Sequence, residues 1–203
     1  MQLVFDYDGV IADSMEFMVG VLNEVAAEIN FPKITKKEIV YWRQNGPRAT
    51  LKKFKIPLTK FPVFFRKSIA IQKRDADKVE FFEGIGEIIR KIKEKGIKIG
   101  ILSSNDVENI KINLKKHDLD IFDFIEGGAM YFGKAQKIRQ LRRKVGDFVY
   151  VGDELRDIEA CKRVGVPIIA VSWGFNDKKI LKDADYVVDS PKEFLKLVLS
   201  LIQ

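Results

Sequence analysis

Short apolar runs alternate with longer helical patterns through most of this 203-residue chain, and that alternation is the strongest restriction on its fold. The apolar runs are Leu3–Phe5, Lys98–Leu102, Phe122–Ile125, Phe148–Val151, Pro167–Val171 and Tyr186–Val188. Helical patterns at Gly84–Lys95, Val107–Lys116, Lys134–Lys144, Leu155–Arg163 and Pro191–Leu201 separate them. Short continuous apolar runs fit strands buried on both faces, and strands alternating with helices build parallel sheets. The pattern predicts an α/β fold: a doubly wound, mostly parallel, Rossmann-like sheet with helices on both faces.

One segment breaks the pattern. Between Ser14 and Asp77 there is no clear strand. Phe17, Val21, Leu22, Val25 and Ile29 recur at helical spacing. Thr35 with Glu38 is a capping box opening a second helix, and Asn45-Gly46-Pro47 is expected to stop it. A third helix is expected through Phe64, Ile69 and Ile71. The expected organisation is a catalytic core of residues 1–13 and 78–203 with a small inserted helical cap subdomain at 14–77. Val10–Ser14 and Ala76–Gly84 would be its outgoing and returning crossings.

The inserted segment also carries the charge imbalance. It holds 13 Lys/Arg and 6 Asp/Glu, which accounts for the whole net charge of +7. Such a segment suits an anionic partner, either a small phosphorylated or carboxylated molecule or a nucleic acid. Tyr41, Trp42, Phe54, Phe64 and Phe65 lie among these charges, as in nucleic-acid-binding surfaces. Their helical spacing among other apolar residues makes core packing the simpler account, so nucleic acid is the less favoured partner. Cys161 is the only cysteine, which excludes an internal disulfide and fits a reducing cytosol. It reads as a core residue of a helix. His117, the only histidine, sits in a Lys/Asp-rich helix end and is expected to be solvated. No basic region precedes an apolar stretch near the N-terminus, and no apolar run is long enough to span a bilayer. A cytoplasmic protein without a membrane partner, monomeric or homodimeric, is expected.

The chemistry gathers behind the strands. The first run ends in Asp6-Tyr7-Asp8-Gly9-Val10, which delivers two carboxylates to a strand's carboxyl end. Open parallel sheets bind ligands at that edge, and paired buried acids call for a cation or a shared proton. Ser103-Ser104-Asn105 follows the second run, and Gly152-Asp153-Glu154-Leu155-Arg156-Asp157 follows the fourth. Lys134 opens the helix between. Singly, these clusters read equally well as helix caps, dipole partners or a surface lysine. Together they would stand at one sheet edge, a combination three independent loops rarely assemble by chance. Grouped carboxylates without histidine or cysteine ligands suit a hard divalent cation, Mg²⁺ first. A hydroxyl and a lysine can hold phosphoryl oxygens, and a carboxylate can attack phosphorus while a second moves the proton.

In these motifs the chain resembles the haloacid-dehalogenase-like hydrolase superfamily, in the helical-cap branch and its phosphoglycolate-phosphatase-like group. Phe5–Val10, Leu102–Asn105, Lys134 and Val151–Asp157 correspond to the four motifs in order. The resemblance implies Asp6 as nucleophile and metal ligand, and Asp8 as general acid/base that also gives its carbonyl to Mg²⁺. It implies Ser103 as phosphoryl ligand with Ser104 and Asn105 beside it, and Lys134 as the group that orients Asp6. Asp153 would bind the metal, and Asp157 would support Lys134 or the metal site. Dehalogenases of the superfamily lack the second acid of the first motif, so Asp8 points to phosphoryl chemistry. In the cap, Arg48 and then Arg43 are the candidate substrate contacts, because an arginine fork holds a carboxylate or phosphate. A phosphatase on a small phosphate monoester is the expected function. A sugar-phosphate mutase is the alternative, suggested by Gly9-Val10 where phosphatases more often have Gly-Thr. A nucleic-acid-binding scaffold is the non-enzymatic alternative.

Overall fold

The computed structural model describes residues 1–28, 32–54, 61–128 and 133–201, with side chains for all of these except 47, 48, 51, 54 and 61–65. Ile29 and the side chains of Arg48, Phe54, Phe64 and Phe65 therefore lie outside the described residues. Among the described residues the chain forms strands β1 (Gln2–Phe5), β2 (Ala12–Asp13), β3 (Glu80–Phe81), β4 (Lys98–Leu102), β5 (Phe124–Glu126), β6 (Val149–Gly152), β7 (Ile168–Val171) and β8 (Tyr186–Val188). The helices are α1 (Met15–Glu28), α2 (Lys36–Phe54), α3 (Phe61–Arg74), α4 (Ile85–Glu94), α5 (Val107–Lys116), α6 (Lys134–Val145), α7 (Leu155–Val164), α8 (Lys178–Leu181) and α9 (Pro191–Leu201).

The main sheet has the order β5-β4-β1-β6-β7-β8, and each neighbouring pair is parallel. The chain winds outward from β1 to β4 and β5, then returns across β1 to β6, β7 and β8. This reversal beside β1 is where open α/β sheets bind ligands. The central strands β1, β4, β6 and β7 are buried on both faces but still alternate. Leu3, Phe5, Ile99, Ile101, Val151 and Ile169 point into one core with Ile85, Ile88, Ile89 and Ile92 of α4. The four isoleucines recur at i, i+3, i+4 and i+7, one stripe of a helix. Val4, Leu102, Tyr150, Ile168 and Ala170 point the other way, into a core with Ile138, Ile158 and Cys161. Cys161 is fully buried, as its sequence context suggests. Phe5 meets Phe122 and Phe194 edge-on at 6.1 and 5.8 Å, contacts worth about 0.5–1.5 kcal/mol each beyond area burial. They pin the strand that leads into Asp6.

The two crossings pair with each other. Ala12 faces Phe81 and Asp13 faces Glu80 in an antiparallel two-stranded ribbon, β2 with β3. Helices α1, α2 and α3 lie in sequence between the ribbon's two strands. Buried Val21 and Val25 of α1 pack on Ile71 of α3. Helix α2 opens where the capping motif suggests, with Glu38 accepting from the Thr35 backbone at 3.3 Å and from its hydroxyl. The expected stop at Asn45-Gly46-Pro47 is a break rather than an end. Gly46 leaves helical geometry at φ 78° and ψ 171°, and the helix resumes at once. Proline is well suited to the first position of a resumed helix, which explains the missed continuation. His117 departs from its expected solvation: its ring stacks on Phe81 at 4.1 Å. No helix among the described residues is long and apolar enough to cross a membrane.

Candidate active site

Three adjacent strands supply the site. β1 lies between β4 and β6, so the loops carrying Asp6 and Asp8, Ser103 to Asn105, and Asp153 to Asp157 leave the sheet side by side. Strand neighbours stand about 4.8 Å apart, close enough for their first loop residues to share a ligand. Asp6 is buried; its Oδ1 accepts from the Tyr7 backbone N–H at 2.8 Å. Its Oδ2 accepts from Lys134 Nζ at 2.5 Å. Lys134 sits at the start of α6, ion-pairs with Asp157 as well, and lies 5.2 Å from the Tyr150 ring centroid. Burial works against the Lys134 ammonium, but the Asp157 and Asp6 carboxylates outweigh it and hold its pKa well above the ordinary value.

The first turn after β1 is tight. The Ile11 and Ala12 N–H groups both donate to Tyr7 O at 3.0 Å. Gly9 has φ 77°, a left-handed conformation glycine adopts freely, and a β-carbon there would overlap the Asp153 carboxylate. Asp8 is half-buried and its Oδ2 accepts from Asn105 Nδ2 at 3.0 Å. Burial pushes Asp8 up to about 6; the Asp6 charge adds to this, and the hydrogen bond from Asn105 opposes it. Asn105 thus joins the second motif to the first. Its Oδ1 also accepts from the Asp106 N–H at 2.8 Å. Asp106, not the serines, caps α5 by accepting from Glu108 N. Ser103 is buried, and its Oγ accepts from the Asn105 N–H at 3.2 Å, which leaves the hydroxyl proton to donate elsewhere. Ser104 is half-buried beside it.

In the fourth motif Glu154 is the N-cap of α7, in a reciprocal capping box with Asp157. Asp157 Oδ2 accepts from the N–H groups of Asp153 and Glu154 at 3.2 and 3.1 Å. Asp157 is therefore held between Lys134 and the backbone of its own loop. Glu154 Oε1 pairs with Arg156 at 2.5 Å. Asp153 Oδ2 accepts from the Phe175 N–H at 2.7 Å, while its Oδ1 is buried and without a hydrogen-bond partner. Burial, with the neighbouring Glu154, Asp157 and Asp6 charges, pushes Asp153 well above the carboxylate range.

This donor set fits a hard divalent cation. Asp6, Asp153 and Asp157 each offer a carboxylate oxygen, all within 4.8 Å of one another. An unpartnered buried carboxylate oxygen is costly, and a cation relieves that cost.

Sequence reasoning missed the loop after β7. Trp173 Nε1 donates to Val10 O at 3.2 Å, Phe175 N to Asp153, and Asn176 Oδ1 accepts from the Leu155 N–H at 3.0 Å. The available signal was polar Asn176-Asp177 soon after a buried strand, on the sheet edge that bears the other motifs. Arg43 is drawn to the same loop: its Nε meets Asp177 Oδ1 at 3.1 Å and its Nη1 donates to Gly174 O at 2.6 Å. Its guanidinium is thereby engaged by the protein itself.

A central strand ending in paired acids, flanked by loops bearing a hydroxyl and further acids, defines an α/β enzyme with its chemistry at the sheet's carboxyl edge. The model of the haloacid dehalogenase-like hydrolase family matches residues 3–171, and the chain belongs to that family. A phosphoglycolate phosphatase of Synechococcus elongatus is 28% identical, over 99% of this chain and 98% of its own length. The pyrophosphatase PpaX of Bacillus mycoides is 28% identical over 59% of this chain and 60% of its own. A crystal structure described as a predicted phosphatase from Clostridium acetobutylicum shares the fold with a TM-score of 0.85, at 20% identity, over 98% of each chain.

Proposed function

We propose that this hydrolase is a Mg²⁺-dependent phosphatase that cleaves a small phosphate monoester through an aspartyl-phosphate intermediate. One observation carries the reading. Asp6 is fixed by Tyr7 N–H and Lys134 and offers an oxygen within 4.8 Å of one on Asp153, whose Oδ1 is buried and unpartnered. The side chains of Asp6 and Asp153 and the Asp8 carbonyl would hold the cation, with Asp157 bracing Lys134. When bound, the cation supplies charge neutralisation for the phosphoryl oxygens and for the attacking carboxylate.

An Asp6 oxygen attacks phosphorus, and the phosphorus–ester oxygen bond breaks. The leaving oxygen takes the proton of Asp8, whose pKa of about 6 suits it to give and regain a proton near neutrality. Ser103 donates its free hydroxyl proton to a phosphoryl oxygen, and Lys134 offsets charge at Asp6. Asp8 then takes a proton from the attacking water, the phosphorus–Asp6 bond breaks, and inorganic phosphate leaves. Asn105 keeps Asp8 aimed through both proton transfers.

The segment 14–77 acts as the cap. Its net charge of +7 suits an anionic substrate, and its closure would exclude water. Phosphoglycolate, the substrate in the name of the Synechococcus relative, is the first compound to test, with pyrophosphate beside it. The test is phosphate release from a panel of phosphorylated metabolites with and without Mg²⁺. Asp6→Asn abolishes release and a chelator removes it. Turnover that survives Asp6→Asn rules out the covalent route. Isomerised sugar phosphate without net phosphate release marks a mutase.

A further inference from the structure

The five residues Trp173–Asp177 touch two parts of the molecule at once. Toward the site, Trp173 Nε1 donates to Val10 O at 3.2 Å, Phe175 N–H to Asp153 Oδ2 at 2.7 Å, and Asn176 Oδ1 accepts from Leu155 N–H at 3.0 Å. Gly174 packs so closely that a β-carbon there would overlap both Gly9 O and the Asp153 carboxylate. Toward α2, Arg43 Nε meets Asp177 Oδ1 at 3.1 Å and Nη1 donates to Gly174 O at 2.6 Å. The Asp177 N–H returns a bond to Arg43 O at 2.8 Å. The Trp42 ring meets the Phe175 ring edge-on at 6.2 Å.

We infer that Arg43 is a positioning residue for Asp153, acting from α2 through the Trp173–Asp177 loop. The physical argument concerns which oxygen of Asp153 is free. Phe175 N–H occupies Oδ2 and leaves Oδ1 without a hydrogen-bond partner, in a carboxylate that offers one oxygen within 4.8 Å of oxygens of Asp6 and Asp157. Phe175 N–H points there because Gly174, one residue earlier, is wedged against Asp153 from one side and pulled by Arg43 on its carbonyl from the other. An arginine is required for this: its planar fork spans the Gly174 carbonyl and the Asp177 carboxylate together, which a lysine ammonium on a flexible stem does not. Loosening Arg43 lets residues 174–177 relax and Oδ2 lose its donor, so the acidic cluster spends cation-binding free energy on ordering itself. By reciprocity, a cation that fixes Asp153 must tighten the seating of α2. Groups that orient a metal ligand typically change affinity 10–100-fold when lost.

The inference rests on the reading of Asp153 as a cation ligand, and the test separates the two. Mg²⁺ affinity of metal-stripped full-length protein is measured by calorimetry for wild type, Arg43→Ala, Arg43→Lys and Asp177→Asn. Backbone amide exchange of the peptides in 36–54 is followed with and without Mg²⁺. Expected are a roughly 10-fold weaker affinity for Arg43→Ala, a smaller loss for Arg43→Lys and Asp177→Asn, and slower exchange in 36–54 on Mg²⁺ addition in the wild type only. Asp177→Asn keeps the Asp177 N–H to Arg43 O bond and serves if Arg43→Ala does not fold. Wild-type affinity in both Arg43→Ala and Asp177→Asn, or exchange in 36–54 indifferent to Mg²⁺, overturns the inference and leaves the metal site standing. No Mg²⁺ binding by the wild type overturns both.

Discussion

Lys134 Nζ lies 2.5 Å from Asp6 Oδ2 across 128 residues of chain, and the same ammonium also pairs with Asp157. One half-buried ammonium thus ties the end of β1 to the start of α7. Removing it leaves two buried carboxylates facing each other without compensation, which typically costs about 3–5 kcal/mol. Lys134→Ala is expected to unfold at markedly lower denaturant concentration. Where it folds, it should lose at least about 100-fold in kcat, because Asp6 loses its orientation and the phosphoryl charge its partner. Equilibrium unfolding and steady-state kinetics with an aryl phosphate check both. Undiminished turnover in a folded Lys134→Ala protein would refute the role given to Lys134.

Asp8 and Asn105 bear on the proton rather than on the nucleophile. With Asp8→Asn, an aryl phosphate still transfers its phosphoryl group to Asp6, since a phenolate leaves without a proton. The attacking water then lacks its base. The expected outcome is a burst of phenol of about one equivalent per enzyme, followed by a rate lower by roughly 10²–10⁴-fold. Intact mass spectrometry should find one phosphoryl group retained. An alkyl phosphate should show no burst. Asn105→Ala should give a milder form of the same behaviour.

Much of this arrangement is legible in the sequence for a physical reason. Strands buried on both faces must be apolar throughout, so β1, β4, β6 and β7 stand out as runs between helical patterns, and the polar residues after them fall at one edge. Legibility fails where an apolar residue serves something other than pairing. The run Phe122–Ile125 places β5 early, since Phe122 is apolar in order to pack on Phe5, while pairing with β4 begins at Phe124. The ribbon β2–β3 has two residues per strand, too few for any period to appear. Trp173, Gly174 and Phe175 look like more core after a buried strand. Their grip on Val10, Asp153 and Arg43 depends on tertiary contacts that no local pattern encodes. Arg43 itself is one cation among 13 in a basic segment.

The acidic cluster makes stability depend on pH and on the metal in a defined sense. Asp8 titrates near 3.8 when unperturbed and at about 6 in the fold. Between those values the folded protein holds more protons than the unfolded chain, so stability falls as pH rises through the window. The penalty is fully present above about 6 and vanishes as pH falls toward 4. Asp153 and Glu154 are shifted in the same direction. Metal-stripped Asp8→Asn should therefore melt higher than metal-stripped wild type at pH 7, by at least about 2 °C, with the gap closing near pH 4. Mg²⁺ should raise the wild-type Tm more at pH 7 than at pH 5, since protonated carboxyls bind it less. Thermal unfolding monitored by circular dichroism across pH 4 to 8 checks these signs.

Gly174 gives the sharpest test of how the β7 loop supports the site, because the substitution adds one methyl group and no charge. A β-carbon there would overlap Gly9 O, Asp153 Oδ2 and the Asp153 β-carbon. Backbone and a buried carboxylate are poor places to find slack, so the loop must move away from the motif-one turn. Moving it withdraws the Phe175 N–H from Asp153, and forced overpacking of this kind costs about 1–3 kcal/mol. Gly174→Ala should combine that stability loss with weaker Mg²⁺ binding and a higher Mg²⁺ requirement for turnover. Gly165→Ala offers the comparison. Its own φ of 65° makes it destabilising too, but a β-carbon there meets nothing within 4 Å, and it caps α7 at the end away from Asp153. Its Mg²⁺ affinity should stay at the wild-type value. Chemical denaturation together with Mg²⁺ titration of both variants separates a general loss of stability from a displaced Asp153, and equal Mg²⁺ affinities in the two would refute the coupling of the loop to the site.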